Sequence, residues 1–236
     1  MNRNDNGAAL VLGSLIALGL VWSGSYLKDA VAIWKQADRV VAVKGLAERE
    51  VQADLVVWPL SFSVTADTLA ELYEALDNDQ QKITVFLMQA GFSEQEIRAT
   101  APAVTDLWID NYGERRAPQR YRADAIVLVR TAQVERVNNI QPEAITLVSQ
   151  GVLLRQRFEH KTQYLFTRLN EIKPDMIAEA TANARAAAQQ FAKDADAEVG
   201  AIRSAQQGYF SVSDLDGYTP EKKQVRVVTS VEYSLE

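Results

Sequence analysis

The densest set of side chains able to hold a charged ligand lies between residues 108 and 122. There Arg115, Arg116, Arg120 and Arg122 interleave with Trp108, Tyr112 and Tyr121. Guanidinium groups among aromatic rings can hold anionic lipid headgroups or a polysaccharide through ion pairs and stacking. The same pattern also suits a charged hairpin tip that keeps a sheet edge from pairing with a neighbour. Other chemistry is sparser. His160 is the single histidine, which excludes metal motifs that need a pair of histidines. A serine triad would have to use it, and no G-x-S-x-G elbow accompanies it. With Phe158 and Tyr164 at the same strand parity, it reads as a structural histidine on an apolar face. Asp214-Leu215-Asp216-Gly217 begins like a calcium loop, but Tyr218 falls at position five and Val225 at position twelve, where oxygen ligands are required. It reads instead as a polar turn between strands. Asp77, Asn78 and Asp79 read as the solvated face of a helix, and Asp194, Asp196 and Glu198 as an acidic flank near a helix end. Neither phosphate loop, G-x-x-x-x-G-K-[ST] or G-x-G-x-x-G, occurs. The residues therefore predict no catalytic group, no metal ligand and no cofactor.

The composition of the 236-residue chain, 47% hydrophobic and 24% charged, is that of a globular protein. Its net charge of −6 argues against nucleic acid as a partner, because that surface must be basic. The absence of cysteine excludes disulfides, thiolate catalysis and cysteine-ligated zinc.

One segment departs from this composition. No Asp, Glu, Lys or Arg lies between Asp5 and Lys28, and a run of that length as a helix matches the ~30 Å hydrocarbon layer of a bilayer. The spacing predicts a transmembrane helix, with Trp22 and Tyr26 where an interfacial aromatic belt would lie. Ala9, Gly13 and Ala17 form a small-xxx-small stripe that would let two such helices approach closely. A signal peptide cleaved after export is the alternative, although the n-region carries only Arg3 and the apolar run is long for a signal core. Positive-inside counting, with Lys28, Lys35 and Arg39 after the segment, favours a cytoplasmic body, but a long domain can translocate regardless of such charges. Residues 1–39 are thus expected to be an anchor and linker, and 40–236 one folded domain with candidate sub-parts 40–150 and 151–236.

The body reads as α+β. A strand region spans roughly 40–65, with Pro59 expected to interrupt it or to mark an edge. A helix follows from about 69, capped by Asp67 or Thr68 and stopped by Gly91. Strands are predicted over roughly 96–110 and 119–132, and a helix over 134–150. A long strand is predicted over 152–169, its apolar parity holding Leu154, Phe158, His160, Tyr164 and Phe166. An alanine-rich helix opens at Pro174, carries Ala180, Ala184, Ala188, Phe191 and Ala195 at helical spacing, and closes on Gly200. Two strands end the chain, at 201–212 and 223–235, the last with Val225, Val227, Thr229, Val231, Tyr233 and Leu235 on one face. The order is β-α-β-β-α-β, then α-β-β, and the first six elements match a split βαβ plan with a largely antiparallel sheet.

This layout resembles the SIMPL-domain family. The carriers are the opening VVAVKGLAEREVQADLVVWPLSFSV with Gly45 and Asp54, the segment GFSEQEIRAT after the first helix, and the stretch AEATANARAAAQQFAKDADAEVGAI. The resemblance covers about residues 40–236, and the W-P-L-S-F variant is similar to a membrane-anchored bacterial subgroup. It implies a two-layer α/β body in the bacterial envelope, anchored in the inner membrane by one pass and facing the periplasm. Some relatives form ring- or channel-like homo-oligomers, and some are linked to oxidative or envelope stress. The expected function is a non-enzymatic, self-associating envelope protein. The alternative is a periplasmic binding module for a lipid or cell-wall ligand.

Overall fold

A computed structural model describes residues 39–109, 117–155 and 160–236, together with Gly13, Ala17, Gly19 and Trp22. Strands β1 (Val40–Gln52) and β2 (Leu55–Ala66) lead into helix α1 (Leu69–Gln89), a 3-10 turn (Glu94–Glu96), β3 (Ile97–Ala99), β4 (Ala103–Asp106) and β5 (Tyr121–Thr131). Helix α2 (Val134–Ile140), a second 3-10 turn (Gln141–Ala144), α3 (Ile145–Ser149), β6 (Gln163–Leu165) and α4 (Leu169–Asp194) follow. Strands β7 (Val199–Gln207), β8 (Ser211–Asp214) and β9 (Lys222–Leu235) complete the chain. One sheet has the order β1-β9-β7 with β8 also on β9; the other has the order β3-β5-β2-β6 with β4 also on β5. The fold is α+β, as the sequence predicts. Among the described residues no helix is long and apolar enough to cross a membrane.

The chain divides into two compact units, and the division does not fall near residue 150. The larger comprises Arg49–Ile172 and Val212–Val225. Its centre is β2, where Val56, Trp58, Leu60, Phe62, Val64 and Ala66 alternate into the core. Ala123, Ala125, Val127 and Val129 of the antiparallel neighbour β5 face the same way. Helix α1 lays Leu72, Leu76, Ile83 and Leu87 on this face, at steps of four, seven and four residues. Thr68 starts α1 with a capping box, its hydroxyl accepting from the Glu71 N–H (3.3 Å) while its own N–H donates to the Glu71 carboxylate (3.2 Å). Gly91, at φ +87°, ends the helix. β3 and β4 both pair with β5, and β6 pairs with β2. With β3 and β4 taken as one interrupted strand, this is the interlocked split βαβ order expected from the sequence.

Pro59 does not break β2, so of the two roles expected for it the interruption does not hold. It pairs opposite Leu128 in the β5 ladder. On the other side of β2, β6 covers Leu55–Val57, and Leu153 and Arg155 bond to Ser63 and Ser61. Pro59 falls between these two stretches, where no N–H is required of it. The predicted strand over 152–169 is corrected more severely. Among its described residues only Gln163–Leu165 forms a strand, with a single bridge from Leu154 to Phe62. His160 lies in a 3-10 turn rather than on a strand, and Phe158 is outside the described residues. The helix predicted over 134–150 is split by a 3-10 turn at Pro142.

The smaller unit comprises Met1–Glu48, Lys173–Ser211 and Arg226–Glu236. Val227, Thr229, Val231 and Tyr233 of β9 are buried on one face, as predicted, and Leu235 of the same prediction is half-buried. Within this unit Val231 and Tyr233 pack with Val43 of β1 and with Ala184 and Ala188 of α4. The helix sits almost on the strand backbone: a Cβ placed on Gly45 would lie 1.8 Å from the Ala180 carbonyl oxygen and 2.5 Å from the Ala184 nitrogen. Asn183 fixes the alignment by donating to the Leu46 carbonyl at 2.8 Å. Three details of α4 differ from expectation. It starts ahead of Pro174, Phe191 is 61% exposed while Ala192 takes the buried position, and it ends at Asp194 with Asp196 at φ +50°. Gly200 belongs to β7, so Asp194, Asp196 and Glu198 do not share a helical face.

The Gly45 contact generates a direct prediction. Gly45→Ala forces the helix off the strand and is expected to cost about 3 kcal/mol, lowering Tm by about 6–12 °C. Gly217→Ala, where an added Cβ meets nothing within 4 Å, is expected to leave Tm within about 2 °C. Paired thermal melts by circular dichroism test this, and equal Tm values would refute the contact.

Candidate functional site

The arginine-aromatic patch is only partly within the described residues: Tyr112, Arg115 and Arg116 lie outside them. The rest is built on the β4–β5 hairpin. Arg120 donates from Nε and Nη2 to Asp106 Oδ2, both at 2.9 Å. Its guanidinium lies 5.4 Å from the Trp108 ring centroid and 4.8 Å from that of Tyr121. The Arg120 hydrogen bond holds the Asp106 carboxyl below the usual carboxylate range and pushes the arginine up. Arg122 donates from Nη2 to both Asp124 oxygens at 2.8 Å. The two described arginines are therefore each paired with a carboxylate on the same hairpin.

Next to Arg122 lies a constellation that the sequence did not single out. Arg155 Nη1 reaches Asp124 Oδ1 at 3.3 Å, so that carboxylate joins two arginines. The Arg155 N–H donates to the Ser61 carbonyl (2.7 Å), and the Ser61 hydroxyl meets His160 Nδ1 at 3.1 Å. Ser61 and Ser63 are both buried, on the face of β2 opposite its apolar residues. The only signal for this in the sequence was the polar parity Ser61, Ser63, Thr65 facing Arg122 and Asp124. A serine next to a histidine suggests acyl transfer, but Ser61 lies mid-strand, 8% exposed, with its carbonyl already accepting from the Arg155 N–H. Nucleophilic attack needs an exposed hydroxyl and free N–H groups for an oxyanion. Here the pair instead fastens the chain around His160 to the central strand. Among the described residues no three His, Asp or Glu side chains are arranged to hold a metal ion.

Other carboxylates act as clasps. Asp54, in the β1–β2 turn, accepts from the Thr167 N–H (2.8 Å) and hydroxyl (2.9 Å), and from the Arg168 N–H (3.1 Å) and Nε (3.2 Å). Burial raises its pKa, but these four bonds outweigh that and hold it below its ordinary value. Asp79 corrects the expected solvated run: it is 7% exposed and pairs with Lys82 Nζ at 3.0 Å, while Asp77 stays exposed. Asp216 closes the β8–β9 turn by accepting from the Tyr218 and Thr219 N–H groups at 2.6 and 2.7 Å, which is the polar turn expected. In the N-terminal stripe, Gly13 and Ala17 are helical and exposed, and Ala9 lies outside the described residues.

Antiparallel sheets that carry helices on one face, with carboxylates clasping the turns, define an α+β protein of two units, each assembled from separate stretches of the chain. Over residues 41–233 the chain matches the family described as SIMPL, protein of unknown function (DUF541), and it belongs to that family. No curated protein matches the chain.

Glu96 supplies a pH test of these clasps. It accepts from the Thr131 hydroxyl, the Ser93 N–H (2.9 Å) and hydroxyl (2.8 Å), and Gln133 Nε2 (3.4 Å). The Thr131 bond is the leading cause, and its pKa falls from 4.5 to about 2. A lowered pKa means stability that is fully present above the unfolded value and lost as pH falls through the folded one. Glu96→Gln is expected to cost about 1 kcal/mol at pH 7. It is also expected to flatten the loss of stability between pH 4.5 and 2. Urea unfolding of both proteins across that range measures it, and superimposable pH profiles would refute it.

Proposed function

We propose that this chain is a non-enzymatic bacterial envelope protein that self-associates by strand addition at β7. Residues 6–27 anchor it in the inner membrane and the body faces the periplasm. The observation that carries the reading is the state of β7. Every residue from Ala201 to Gln207 is exposed although the strand is hydrogen-bonded to β9. Ile202 and Ala205 pair with the buried Tyr233 and Val231, yet Ile202 is 52% exposed. The apolar sheet face thus continues past the helix into solvent. The Gly208 N–H bonds to the Val228 carbonyl at 2.8 Å, which fixes the ladder alternation, and the Ala205 and Gln207 N–H groups point away from β9. A strand with outward donors and an apolar face is a template for a second chain, and an anchor would confine copies to two dimensions. A role in oxidative or envelope stress rests on the family resemblance. The alternative, a lipid or cell-wall binding module centred on Arg115, Arg116, Arg120 and Arg122, is weakened by the Asp106 and Asp124 pairs.

The full-length protein in detergent, measured by light scattering after gel filtration, is expected to run as a discrete multimer. Ala205→Pro removes an outward donor without touching the β9 ladder, and Ile202→Glu charges the open face. Each is expected to lower the mass to that of one protomer while leaving the circular dichroism spectrum unchanged. A multimer that survives both changes, or a monomeric wild type, would refute assembly through β7. A body starting at Val40 that is monomeric beside a multimeric full chain would move assembly to the Ala9-Gly13-Ala17 stripe.

A further inference from the structure

The larger unit holds a groove of about 600 Å³ between α1 and the kinked helical segment that ends at Gln150. That volume lies within the range of ligand sites. Its floor is the half-buried apolar lining, Phe86, Ala90 and Ile140, and Val85 beside them is exposed. Its rim is amide. Asn78 and Gln89 project from α1 and Gln150 from the end of α3, all exposed, and among the described residues their side chains have no intramolecular hydrogen bond. Asn78 to Gln89 covers eleven steps of α1, about 16 Å at 1.5 Å per residue, which is about the length of five extended residues.

The charges of the groove are asymmetric. Lys82 is committed: its Nζ donates to Asp79 (3.0 Å) and to the Gln150 carbonyl (3.1 Å), tying the two walls together. Glu143 is the remaining charged side chain of the lining, is exposed, and has no ion-pair partner among the described residues. A free carboxylate beside a neutralised lysine favours a cationic ligand.

We infer that this groove binds a short, extended peptide carrying an apolar side chain next to a lysine or arginine. Each side-chain amide offers one acceptor and two donors, matching the C=O and N–H of a peptide group. The Phe86–Ile140 floor takes the apolar side chain, and Glu143 takes the basic one. A glycan is the less favoured occupant, since the lining holds no Trp or Tyr on which a sugar ring could stack. This inference is independent of assembly through β7.

The test presents the full-length protein in detergent to an array of five-residue peptides with varied apolar and charged positions, and to the N-acetylglucosamine tetramer. Wild type is expected to retain peptides with Leu or Phe beside Lys or Arg. Glu143→Lys is expected to lower that retention about tenfold and to shift preference to acidic peptides. The double variant Gln89→Ala, Gln150→Ala is expected to weaken retention of every class. All three residues are exposed, and an unchanged circular dichroism spectrum verifies folding. Equal retention of all peptide classes, a preference unchanged by Glu143→Lys, or retention of the sugar tetramer in place of peptides would each overturn the inference.

Discussion

The contact between Gly45 and the backbone of α4 is the constraint on which the smaller unit depends. Helices usually rest on strands through interdigitated side chains that hold the two backbones apart. Here the Ala180 carbonyl occupies the space where a side chain of β1 would be, and only glycine can sit opposite it. The rest follows from that closeness. Ala180, Ala184, Ala188 and Ala192 must be small because there is no depth for anything larger. The core is correspondingly thin, with Val43, Val231 and Tyr233 supplying most of its bulk. A helix set down so closely covers a narrow strip of sheet. That is a physical reason for β7, bonded to the far side of β9, to remain exposed on both faces.

The larger unit solves the opposite problem. Its central strand β2 has large residues on the helix side, and its second half carries Ser61, Ser63 and Thr65 on the other, where Ser61 and Ser63 are nonetheless buried. Burying hydroxyls costs free energy unless they are hydrogen-bonded. Ser61 is bonded to His160, and Asp124 joins the charges of Arg122 and Arg155, while the buried Arg122 Nε has no hydrogen-bond partner among the described residues. The polar face is held by a network that spans strands and the following segment, not by a helix. Asp54 does the same at the β1–β2 turn, where one carboxylate gathers four donors from Thr167 and Arg168.

Where the sequence was legible, periodicity and local chemistry agreed. The β9 alternation and the α1 stripe with its Thr68 cap and Gly91 stop were readable because one face of each is buried in a continuous row. The alternation from Leu154 to Phe166 is equally clear, but among its described residues this segment pairs with β2 over only two short stretches. Period two is necessary for a strand and does not supply one. Asp79 shows the reverse failure. The run Asp77-Asn78-Asp79 looks solvated by composition, yet position 79 falls in the same stripe as Leu76 and Ile83, and Lys82 supplies the compensating charge. Phe191 falls at helical spacing with Ala184 and Ala188, yet it is exposed, and the closeness of α4 to β1 leaves the buried position to the neighbouring Ala192.

The candidate site was legible in its residues but not in its charge. Four arginines among aromatics suggest an anion site when read alone. Asp124 stands two residues from Arg122 on the same strand face, and Asp106 sits on the strand that pairs beside Arg120. Counted with these partners, the described part of the patch is near neutral, and its ion pairs stiffen a hairpin. A surface can bind something new only where its polar groups are not already bonded to one another. By that criterion the arginine hairpin is weaker than its composition suggests. Among the described residues, the outward N–H groups of β7 and the unbonded amides around the Phe86 groove meet it better, and neither stands out by residue type, because the first is backbone and the second is glutamine and asparagine on a helix surface.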